Sequence, residues 1–456
     1  MRIVLLSGGS GKRLWPLSNN ARSKQFLKVL QKKDGELMSM VQRVWEQLGK
    51  VSLTQSTLIA TSKSQVDLIK NQIGLDAELI IEPIRRDTFP AISLAATYLY
   101  SEKGVNLDEV VAVLPVDPYV DDAFFDRVKD LESAINKSKT DLALIGVTPT
   151  YASSKYGYII PDRNNNNEFL SVNRFIEKPN EEAAKELLNL GALWNCGVFA
   201  FKLEFLINLL KKKKLPLKYD DLLTQYSELP KISFDYEVVE KTNNIIVLPY
   251  RGTWKDLGTW NTLTEEMSTK QLGKGKITTD CENTHLINEL DIPITVLGIS
   301  NAIVAASPDG VLVANKESSH RIKEIIGELD NRPMYEERRW GWYRVLEHTK
   351  IGGNEVLTKR IGINAGCNLS YQYHFNRSEV WTIIKGEGVL AHNDKLSVVR
   401  PGDVLKINVG DKHALKAVTD LELIEVQTGS ELIEEDIVRI FMTWEEVEEN
   451  CYMLNK

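Results

Sequence analysis

Cysteine is scarce in this chain, and none of its four cysteines belongs to a CxxC pair. They stand scattered at Cys196, Cys281, Cys367 and Cys451. This pattern excludes a disulfide framework and a zinc knuckle as the basis of the fold. The sequence therefore predicts reduced thiols in a protein of the cytoplasm.

Long hydrophobic runs and excess positive charge are also missing. The N-terminal run MRIVLLSGG is far too short for a signal peptide or a membrane span, and it predicts a buried first strand. The 56 basic and 63 acidic residues leave a formal net charge of −7, which disfavours a general nucleic-acid binder. We therefore expect neither membrane nor nucleic acid as a partner, and local positive sites must hold anionic substrates.

The 456 residues exceed one ordinary core and predict roughly two or three domains. Residues 1–262 alternate apolar strand-like runs with helical patterns, which predicts a doubly wound α/β domain. Short β-branched runs predict a small β-rich linking domain over 263–335. Short strands with Gly and Asp turns predict an all-β barrel over 336–456, with a helix over 431–449. The clearest predicted strands are 2–6, 57–61, 78–81, 110–114 and 142–147, and the clearest helices are 38–48 and 90–100.

A glycine-rich motif, SGGSGKRLWPLS, follows the first predicted strand from residue 7 to residue 18. Its glycines allow successive backbone N–H groups to turn inward toward an anion, and nearby basic residues add charged donors. The spacing is not that of a Walker A motif or of a good dinucleotide fingerprint. By themselves these residues predict either a phosphate loop or a tight strand-to-helix turn with incidental basic residues. The candidate phosphate ligands are Gly8, Gly9, Gly11, Lys12, Arg13 and Lys24.

Six further motifs follow this loop and its KQFL continuation in a fixed order. They are EPIRRDTFPAI (82–92), LPVD (114–117), YGYI (156–159), FIEKP (175–179), WNCGVF (194–199) and GTWKDLGTW (252–260). Together they resemble the signature of sugar-1-phosphate nucleotidyltransferases, specifically mannose-1-phosphate guanylyltransferases of the long bacterial type. The resemblance extends over essentially the whole chain. It implies a Rossmann-like domain that joins an NTP, expected to be GTP, to mannose 1-phosphate.

The resemblance also implies roles for charged residues in these motifs. Asp117 and Asp256 are the implied ligands of Mg²⁺, which prefers one or two protein carboxylates beside water and phosphate oxygens. Arg13 and Lys24 are implied to contact the nucleotide phosphates, and Lys178 the sugar phosphate. The attacking phosphate oxygen is already ionised, so the reaction needs positioning and charge neutralisation but no general base. Taken singly, each Asp also fits a turn and Lys178 also fits a surface position.

The same resemblance assigns the two ends of the substrate site. The segment 82–90 is expected to line the base pocket, although Asp87-Thr88-Phe89 and Pro118 depart from the family pattern. Those departures leave open another hexose or heptose 1-phosphate, or another NTP. A non-catalytic regulatory homologue that binds nucleotide-sugar is the third alternative, against which the retained charged residues count. The expected base-pocket residues are Glu82, Arg86 and Asp87, and the expected sugar-pocket residues are Gly157, Glu177 and Asn195.

A second constellation lies near the C-terminus, in GCNLSYQYHFNRSEVWTIIKG (366–386) and GDVLKINVGDKH (402–413). The first segment fits the cupin motif G-x5-H-x-H-x4-E-x6-G with Gln372 in place of the first histidine. His374, Glu379 and His413 fill the other ligand positions. Alternation along a strand puts residues 372 and 374 on one face. The four side chains suit Zn²⁺ or another first-row divalent ion.

This arrangement resembles the phosphomannose isomerase domain that is fused to guanylyltransferases in bifunctional enzymes. There, a metal would polarise a sugar carbonyl while a base moves a proton between adjacent carbons. Phe375, Asn376 and Val380 replace histidines of the family pattern. The alternative is therefore a metal-bearing or empty cupin used for stability or assembly. By the same resemblance we expect a homodimer.

Overall fold

The computed structural model describes residues 1–9, 11, 13–162, 168–326, 332–433 and 436–453. Lys12 of the predicted phosphate loop lies outside the described residues. The chain divides into two compact units. The first consists of Met1–Leu14, Ser23–Lys270 and Asn315–Lys323, and the second of Trp15–Arg22, Gln271–Ala314 and Glu324–Lys456.

The first unit is an α/β domain in which strands and helices alternate. Its strands are Arg2–Ser7 (β1), Leu30–Gln31 (β2), Leu37–Met38 (β3), Thr57–Ser62 (β4), Glu78–Glu82 (β5), Val110–Pro115 (β6), Pro118–Val120 (β7), Leu142–Val147 (β8), Tyr158–Pro161 (β9), Leu170–Ile176 (β10), Leu193–Lys202 (β11), Ile245–Tyr250 (β12) and Trp254–Asp256 (β13). Its helices are Met40–Lys50 (α1), Val66–Ile73 (α2), Thr88–Thr97 (α3), Ala123–Ser138 (α4), Glu181–Asn189 (α5), Leu203–Lys212 (α6), Tyr219–Thr224 (α7), Phe234–Glu237 (α8) and Trp260–Glu266 (α9).

Nine of these strands form one mixed sheet in the order β5-β4-β1-β6-β11-β8-β12-β10-β9. The pairs β1–β4, β1–β6 and β8–β12 are parallel, and β11 runs antiparallel between β6 and β8. Ile3 and Leu5 belong to one buried cluster, whereas Val4 between them belongs to another. Both faces of the central strand are thus covered, which explains its nearly continuous apolar sequence.

The chain leaves the carboxyl end of β6 directly into the short strand β7. Strand β7 pairs antiparallel with β13, which puts Asp256 opposite Pro118 and one residue away from Asp117. Ligand sites of open α/β sheets lie at the carboxyl ends of their strands. The candidate active site is built at this edge.

The second unit is almost entirely β-structure. Its strands are Gln271–Leu272 (β14), Gly275–Ile277 (β15), His285–Asn288 (β16), Ile294–Val296 (β17), Ala302–Ser307 (β18), Gly310–Asn315 (β19), Tyr335–Arg338 (β20), Gly341–Ile351 (β21), Asn354–Ile363 (β22), Tyr371–Tyr373 (β23), Arg377–Lys385 (β24), Gly388–His392 (β25), Lys395–Val399 (β26), Val404–Ile407 (β27), His413–Ala417 (β28), Leu421–Gly429 (β29), Val438–Phe441 (β30) and Tyr452–Met453 (β31). Two short helices, Ile322–Ile326 (α10) and Trp444–Asn450 (α11), accompany them.

The second unit contains two β architectures. The short strands β14, β16 and β18 stack in parallel, as do β15 and β17. The longer strands form two six-stranded sheets, ordered β20-β21-β22-β29-β24-β27 and β30-β23-β28-β25-β26-β31. The predicted fold class, an α/β domain followed by a small β-rich domain and a barrel, is confirmed.

The helix predicted over 431–449 is wrong for most of its length. Val438–Phe441 forms strand β30 and pairs with β23, so that Phe441 stacks on Tyr371 with ring centroids 5.9 Å apart. The helix begins only at Trp444, where the Thr443 side chain and Glu446 make a capping box. Among the described residues, no helix is long and apolar enough to cross a membrane.

Candidate active site

The two predicted metal aspartates meet at one lysine. Lys24 lies in a short 3-10 turn, and its Nζ is 2.8 Å from Asp117 Oδ2 and 3.1 Å from Asp256 Oδ1. Residues separated by more than two hundred positions in sequence therefore converge on one point. The cleft around them has a volume of about 250 Å³ and also contains Arg13.

Burial and neighbouring carboxylates shift the pKa of Lys24 in opposite directions. Burial lowers the pKa of Lys24, but the carboxylates of Asp117 and Asp256 outweigh it and raise that pKa above its ordinary value. Burial likewise raises the pKa of Asp256, but the charge and hydrogen bond of Lys24 and the charge of Arg13 bring it below its ordinary value. Lys24 and Asp256 are therefore both ionised at neutral pH.

The glycine-rich loop after β1 is held by polar side chains at its base. The Ser23 hydroxyl donates to the Gly9 carbonyl at 3.2 Å, and Gln65 Nε2 donates to the same hydroxyl at 2.6 Å. Gly8 approaches Glu82, since a Cβ there would lie 3.8 Å from Glu82 Oε1. These hydrogen bonds fix the backbone at the start of the loop.

The three predicted sugar-pocket residues line the same cleft. A Cβ on Gly157 would lie 2.3 Å from Glu177 Oε2, so only glycine allows this approach. Glu177 Oε2 is buried and, among the described residues, has no hydrogen-bond partner. Asn195 Nδ2 donates to Asp235 Oδ1 at 2.6 Å. A buried acceptor without a donor is suited to a ligand hydroxyl.

Lys178 is placed beside this pocket in an unusual backbone conformation. Its φ is +46°, which L-residues seldom adopt, and its Nζ lies 2.7 Å from Glu177 Oε1. Burial lowers the pKa of Lys178, but Glu177 and then Asp235 raise it above the ordinary value. The side chain is about half exposed, at 53%, and the structure pairs it with the sugar-pocket carboxylate.

The predicted base-pocket residues are not among the described lining of this cleft. Glu82 is buried and accepts from the Tyr226 hydroxyl at 2.6 Å, and burial raises the pKa of Glu82. Asp87 has a φ of +72° and accepts from Thr88 N at 2.8 Å, capping helix α3. Arg86 donates to the Ser227 carbonyl.

Sequence reasoning missed several residues of the cleft, among them Lys155, Tyr156, Trp254 and Asp235. Burial, followed by the charge of Glu177, raises the pKa of Asp235 to about 6. Asp235 lies in helix α8, outside every recognised motif, so no pattern pointed to it. Tyr156 and Trp254 lie within two of the quoted motifs but were given no role, and Lys155 directly precedes the motif YGYI.

The second unit brings together three of the four predicted barrel ligands. Ligand atoms of His374, Glu379 and His413 lie within 4.8 Å of one another, and all three side chains are buried. The fourth, Gln372, stands opposite His413 in the strand register, and its side-chain oxygen accepts from the Ser370 hydroxyl at 2.7 Å.

Both histidines of this cluster direct Nε2 toward Glu379 and use Nδ1 for a hydrogen bond to a backbone carbonyl. His374 Nδ1 donates to the Asp436 carbonyl at 2.5 Å, and His413 Nδ1 donates to the Asp411 carbonyl at 2.9 Å. His413 Nε2 is buried and has no hydrogen-bond partner among the described residues. Burial lowers the pKa of His374 to about 3 and of His413 to about 4. The two Nε2 atoms lie 3.3 and 3.7 Å from the carboxylate oxygens of Glu379. Neutral imidazoles that present Nε2 in this way are suited to bind a metal.

Arg377, a basic residue within the first cupin segment, also enters this cluster. Arg377 Nε donates to Glu379 Oε1 at 2.9 Å, and its Nη2 donates to His374 Nε2 at 3.3 Å. Glu379 Oε2 further accepts from Trp381 Nε1 at 3.0 Å. The carboxylate is thus oriented toward the two histidines.

Three family models match successive parts of the chain. They are described as Nucleotidyl transferase (residues 2–271), MannoseP isomerase/GMP-like beta-helix domain (276–329) and Mannose-6-phosphate isomerase C-terminal (328–441). The first covers more than half of the 456 residues. The fold and the cleft at the strand ends are those of a nucleotidyl transferase.

Similar proteins match almost end to end. The mannose-1-phosphate guanylyltransferase RfbM of Salmonella typhimurium is 30% identical, over 96% of each chain. The xanthan biosynthesis protein XanB of Xanthomonas campestris is 31% identical, over 97% of this chain and 98% of its own. The chain therefore belongs to the mannose-1-phosphate guanylyltransferase family of the long bacterial type.

A solved structure supports the fold over most of the chain. A Thermus thermophilus protein named mannose-1-phosphate geranyltransferase superposes with a TM-score of 0.59 at 28% identity. The match covers 72% of this chain and 99% of that one.

Proposed function

We propose that the first unit transfers a guanylyl group from GTP to mannose 1-phosphate, yielding GDP-mannose and pyrophosphate. The observation that carries the proposal is the convergence of Lys24 with Asp117 and Asp256, in a cleft that continues to Glu177 and Asn195. The identity of the substrates follows the names of the full-length relatives.

The proposed step is a single in-line displacement. An ionised phosphate oxygen of mannose 1-phosphate attacks the α-phosphorus of GTP. The bond from that phosphorus to the oxygen bridging to the β-phosphate breaks, and pyrophosphate leaves with the electron pair. Arg13 and Lys24 neutralise charge on the phosphates, and no side chain has to remove a proton.

Asp117 and Asp256 fit a divalent cation such as Mg²⁺. Both carboxylates approach one ammonium group within 3.1 Å, so they already share a cation. Oxygen donors of this kind match the preference of Mg²⁺, which when bound would neutralise phosphate charge. We propose these two aspartates as its protein ligands.

The sugar end of the cleft offers acceptors and one cation. We propose that Glu177 Oε2 accepts a mannose hydroxyl, since it is buried and lacks a donor among the described residues. Asn195 and the backbone at Gly157 complete that pocket, and Lys178 holds the sugar phosphate.

We propose that the backbone at Gly8, Gly9 and Gly11, with the side chain of Lys12, contacts the nucleotide. Glu82 beside Gly8, with Arg86 and Asp87, forms the proposed base end. Asp87 already caps helix α3, so guanine would have to compete with a backbone N–H for its carboxylate. A change of base at this end would leave the phosphate chemistry intact.

A second activity is proposed for the barrel. His374, Glu379 and His413, with Gln372 nearby, fit Zn²⁺ or another first-row divalent ion, because buried Nε2 lone pairs converge on a carboxylate. Glu379 and the two imidazoles would hold such an ion, and the bound ion would polarise a sugar carbonyl. We propose mannose 6-phosphate and fructose 6-phosphate as the substrates.

The remaining proposals concern organisation. We propose functional domains over 1–262, 263–335 and 336–456, a cytoplasmic location and a homodimer. Light scattering after size exclusion measures the last directly, and a monomer mass near 51.6 kDa would contradict it.

A substrate panel tests the transfer. Purified protein with Mg²⁺ is incubated with each common NTP and several sugar 1-phosphates, and pyrophosphate is measured. Release from GTP with mannose 1-phosphate is the expected result. Release from a different pair would redirect the specificity, and no release from any pair would support a non-catalytic homologue.

A further inference from the structure

The second unit contains a partly open cavity of about 570 Å³ that neither proposed activity uses. All of its lining residues belong to that unit, and they include Arg22, Arg344, Arg360, Tyr335 and Trp342. A cavity of this size holds a small organic ligand. Its lining is unusually rich in guanidinium groups for a structural crevice.

Two of these arginines stand directly opposite each other. Arg344 on β21 and Arg360 on β22 are partners in the antiparallel register. Like charges in that position repel, and a sheet without a functional reason avoids them. Asp291 and Glu422 offset part of this repulsion, and an anion between the two guanidinium groups would reduce it further.

The existing counter-ions leave capacity for such an anion. Arg344 Nη1 is 3.2 Å from Asp291 Oδ2, but the Asp291 side chain is 75% exposed, and exposed ion pairs contribute little. Arg360 is paired more fully, because its Nε donates to Glu422 Oε2 at 2.9 Å and its Nη2 donates to the same oxygen. The capacity for a further anion therefore lies mainly at Arg344.

Arg22 supplies a third guanidinium, whose Cζ lies 5.5 Å from the centroid of the Tyr335 ring. The residue is only 8% exposed, and its Nη1 donates to Glu289 Oε2 at 2.9 Å. Its Nε is buried and, within the described parts of the chain, makes no hydrogen bond, although Glu337 Oε1 lies 3.9 Å away as an ion-pair partner. A buried donor left unpaired is costly, and a ligand oxygen would satisfy it.

Two aromatic side chains, Tyr335 and Trp342, form an apolar part of the cavity lining. Tyr335 and Trp342 stack at 28° with ring centroids 6.3 Å apart. The indole lies against Gly362, where a Cβ would fall 2.5 Å from Trp342 Nε1. The glycine therefore lets the ring lie flat on β22 and fixes it as a platform for a planar base or a sugar ring.

We propose that this cavity is a binding site for an organic phosphate of nucleotide size. The guanidinium groups bind the phosphate, the aromatic pair packs against the ring, and Asp291 accepts from a hydroxyl or amino group. Nucleotides and hexose phosphates share this chemistry, so both are probes. The proposal stands independently of the transfer activity.

The test is equilibrium dialysis of the full chain against GDP, mannose 1-phosphate and inorganic phosphate in turn. Wild type is compared with the double variant Arg344→Gln, Arg360→Gln and with Arg400→Gln, an exposed arginine outside the cavity. In the double variant only, we expect the affinity of one class of binding site for GDP or for mannose 1-phosphate to fall about tenfold or more. Pyrophosphate release, where wild type supports it, should stay within about twofold.

Each outcome decides the proposal. Loss of GDP sites identifies a nucleotide, and loss of mannose 1-phosphate sites identifies a sugar phosphate. Superimposable isotherms for wild type and double variant would overturn the proposal. Equal affinity for inorganic phosphate would also overturn it, because the aromatic wall would then contribute nothing. If circular dichroism shows that the double variant is unfolded, Trp342→Ala replaces it with the same expectations.

Discussion

Replacing Lys24 with methionine tests the charge arrangement of the proposed transfer centre. The ammonium lies 2.8 Å from Asp117 and 3.1 Å from Asp256. At such distances and an effective dielectric of about 20, each attraction is roughly 4–6 kcal/mol before desolvation cancels most of it. When GTP is bound, the same ammonium would face the charge that develops during transfer. Loss of one such donor costs about 3–4 kcal/mol, or roughly 100–1000-fold in kcat.

The assay is steady-state pyrophosphate release from GTP and mannose 1-phosphate, compared with Lys202→Met. Lys202 is an exposed lysine that pairs with Asp108 away from the cleft, so its variant should behave like wild type. Lys24→Met should also bind Mn²⁺ more tightly without nucleotide, because two carboxylates lose their shared cation. A merely structural lysine would not produce that gain. A kcat within about tenfold of wild type would refute the reasoning.

Three further predictions concern other parts of the molecule. Gly157→Ala would put a Cβ 2.3 Å from Glu177 Oε2, so the KM for mannose 1-phosphate should rise about tenfold or more. Burial and Glu177 hold the pKa of Asp235 at about 6, so the folded state binds its proton more tightly than the unfolded chain does. This proton contributes at most about 3 kcal/mol to the free energy of unfolding, and that contribution is lost as pH rises from about 4 to about 6. In urea titrations, Asp235→Asn should therefore reduce the decrease in the free energy of unfolding over this pH range. His413→Ala should lower the metal content measured by inductively coupled plasma mass spectrometry and leave pyrophosphate release unchanged.

Matched control variants distinguish these specific effects from a general loss of folding or stability. Gly49→Ala is the control for Gly157, because its Cβ would meet its nearest neighbour only at 3.9 Å. An exposed histidine, His320, is the control for His413. A normal KM in Gly157→Ala, an unchanged pH slope in Asp235→Asn, or full metal content in His413→Ala would each contradict the corresponding assignment.

The sequence supports the phosphate end of the site better than the sugar end. Glycine spacing, basic residues and carboxylates after predicted strands have direct chemical meaning, and the structure does bring Lys24, Asp117 and Asp256 together. Asp235 was unpredictable because its importance comes from burial beside Glu177, which a local pattern does not encode. Asp87 was ambiguous in sequence, and its capping role appears only with the backbone.

The C-terminal segment shows how tertiary pairing overrides a local pattern. Acidic and apolar residues over 431–449 favour a helix, but strand β23 offers an unpaired edge to Val438–Phe441. Phe441 then packs on Tyr371, so the segment becomes a strand. By contrast, β1 was predictable because burial on both faces demands its apolar run.

Transfer of label from [α-³²P]GTP tests the central claim most directly. In a single turnover with Mg²⁺ and mannose 1-phosphate, the label should appear in GDP-mannose with one pyrophosphate released, and Asp256→Asn should slow this about 100-fold or more. Full-rate transfer by Asp256→Asn, or no transfer of label by wild type, would contradict the assignment of these residues to one transfer centre.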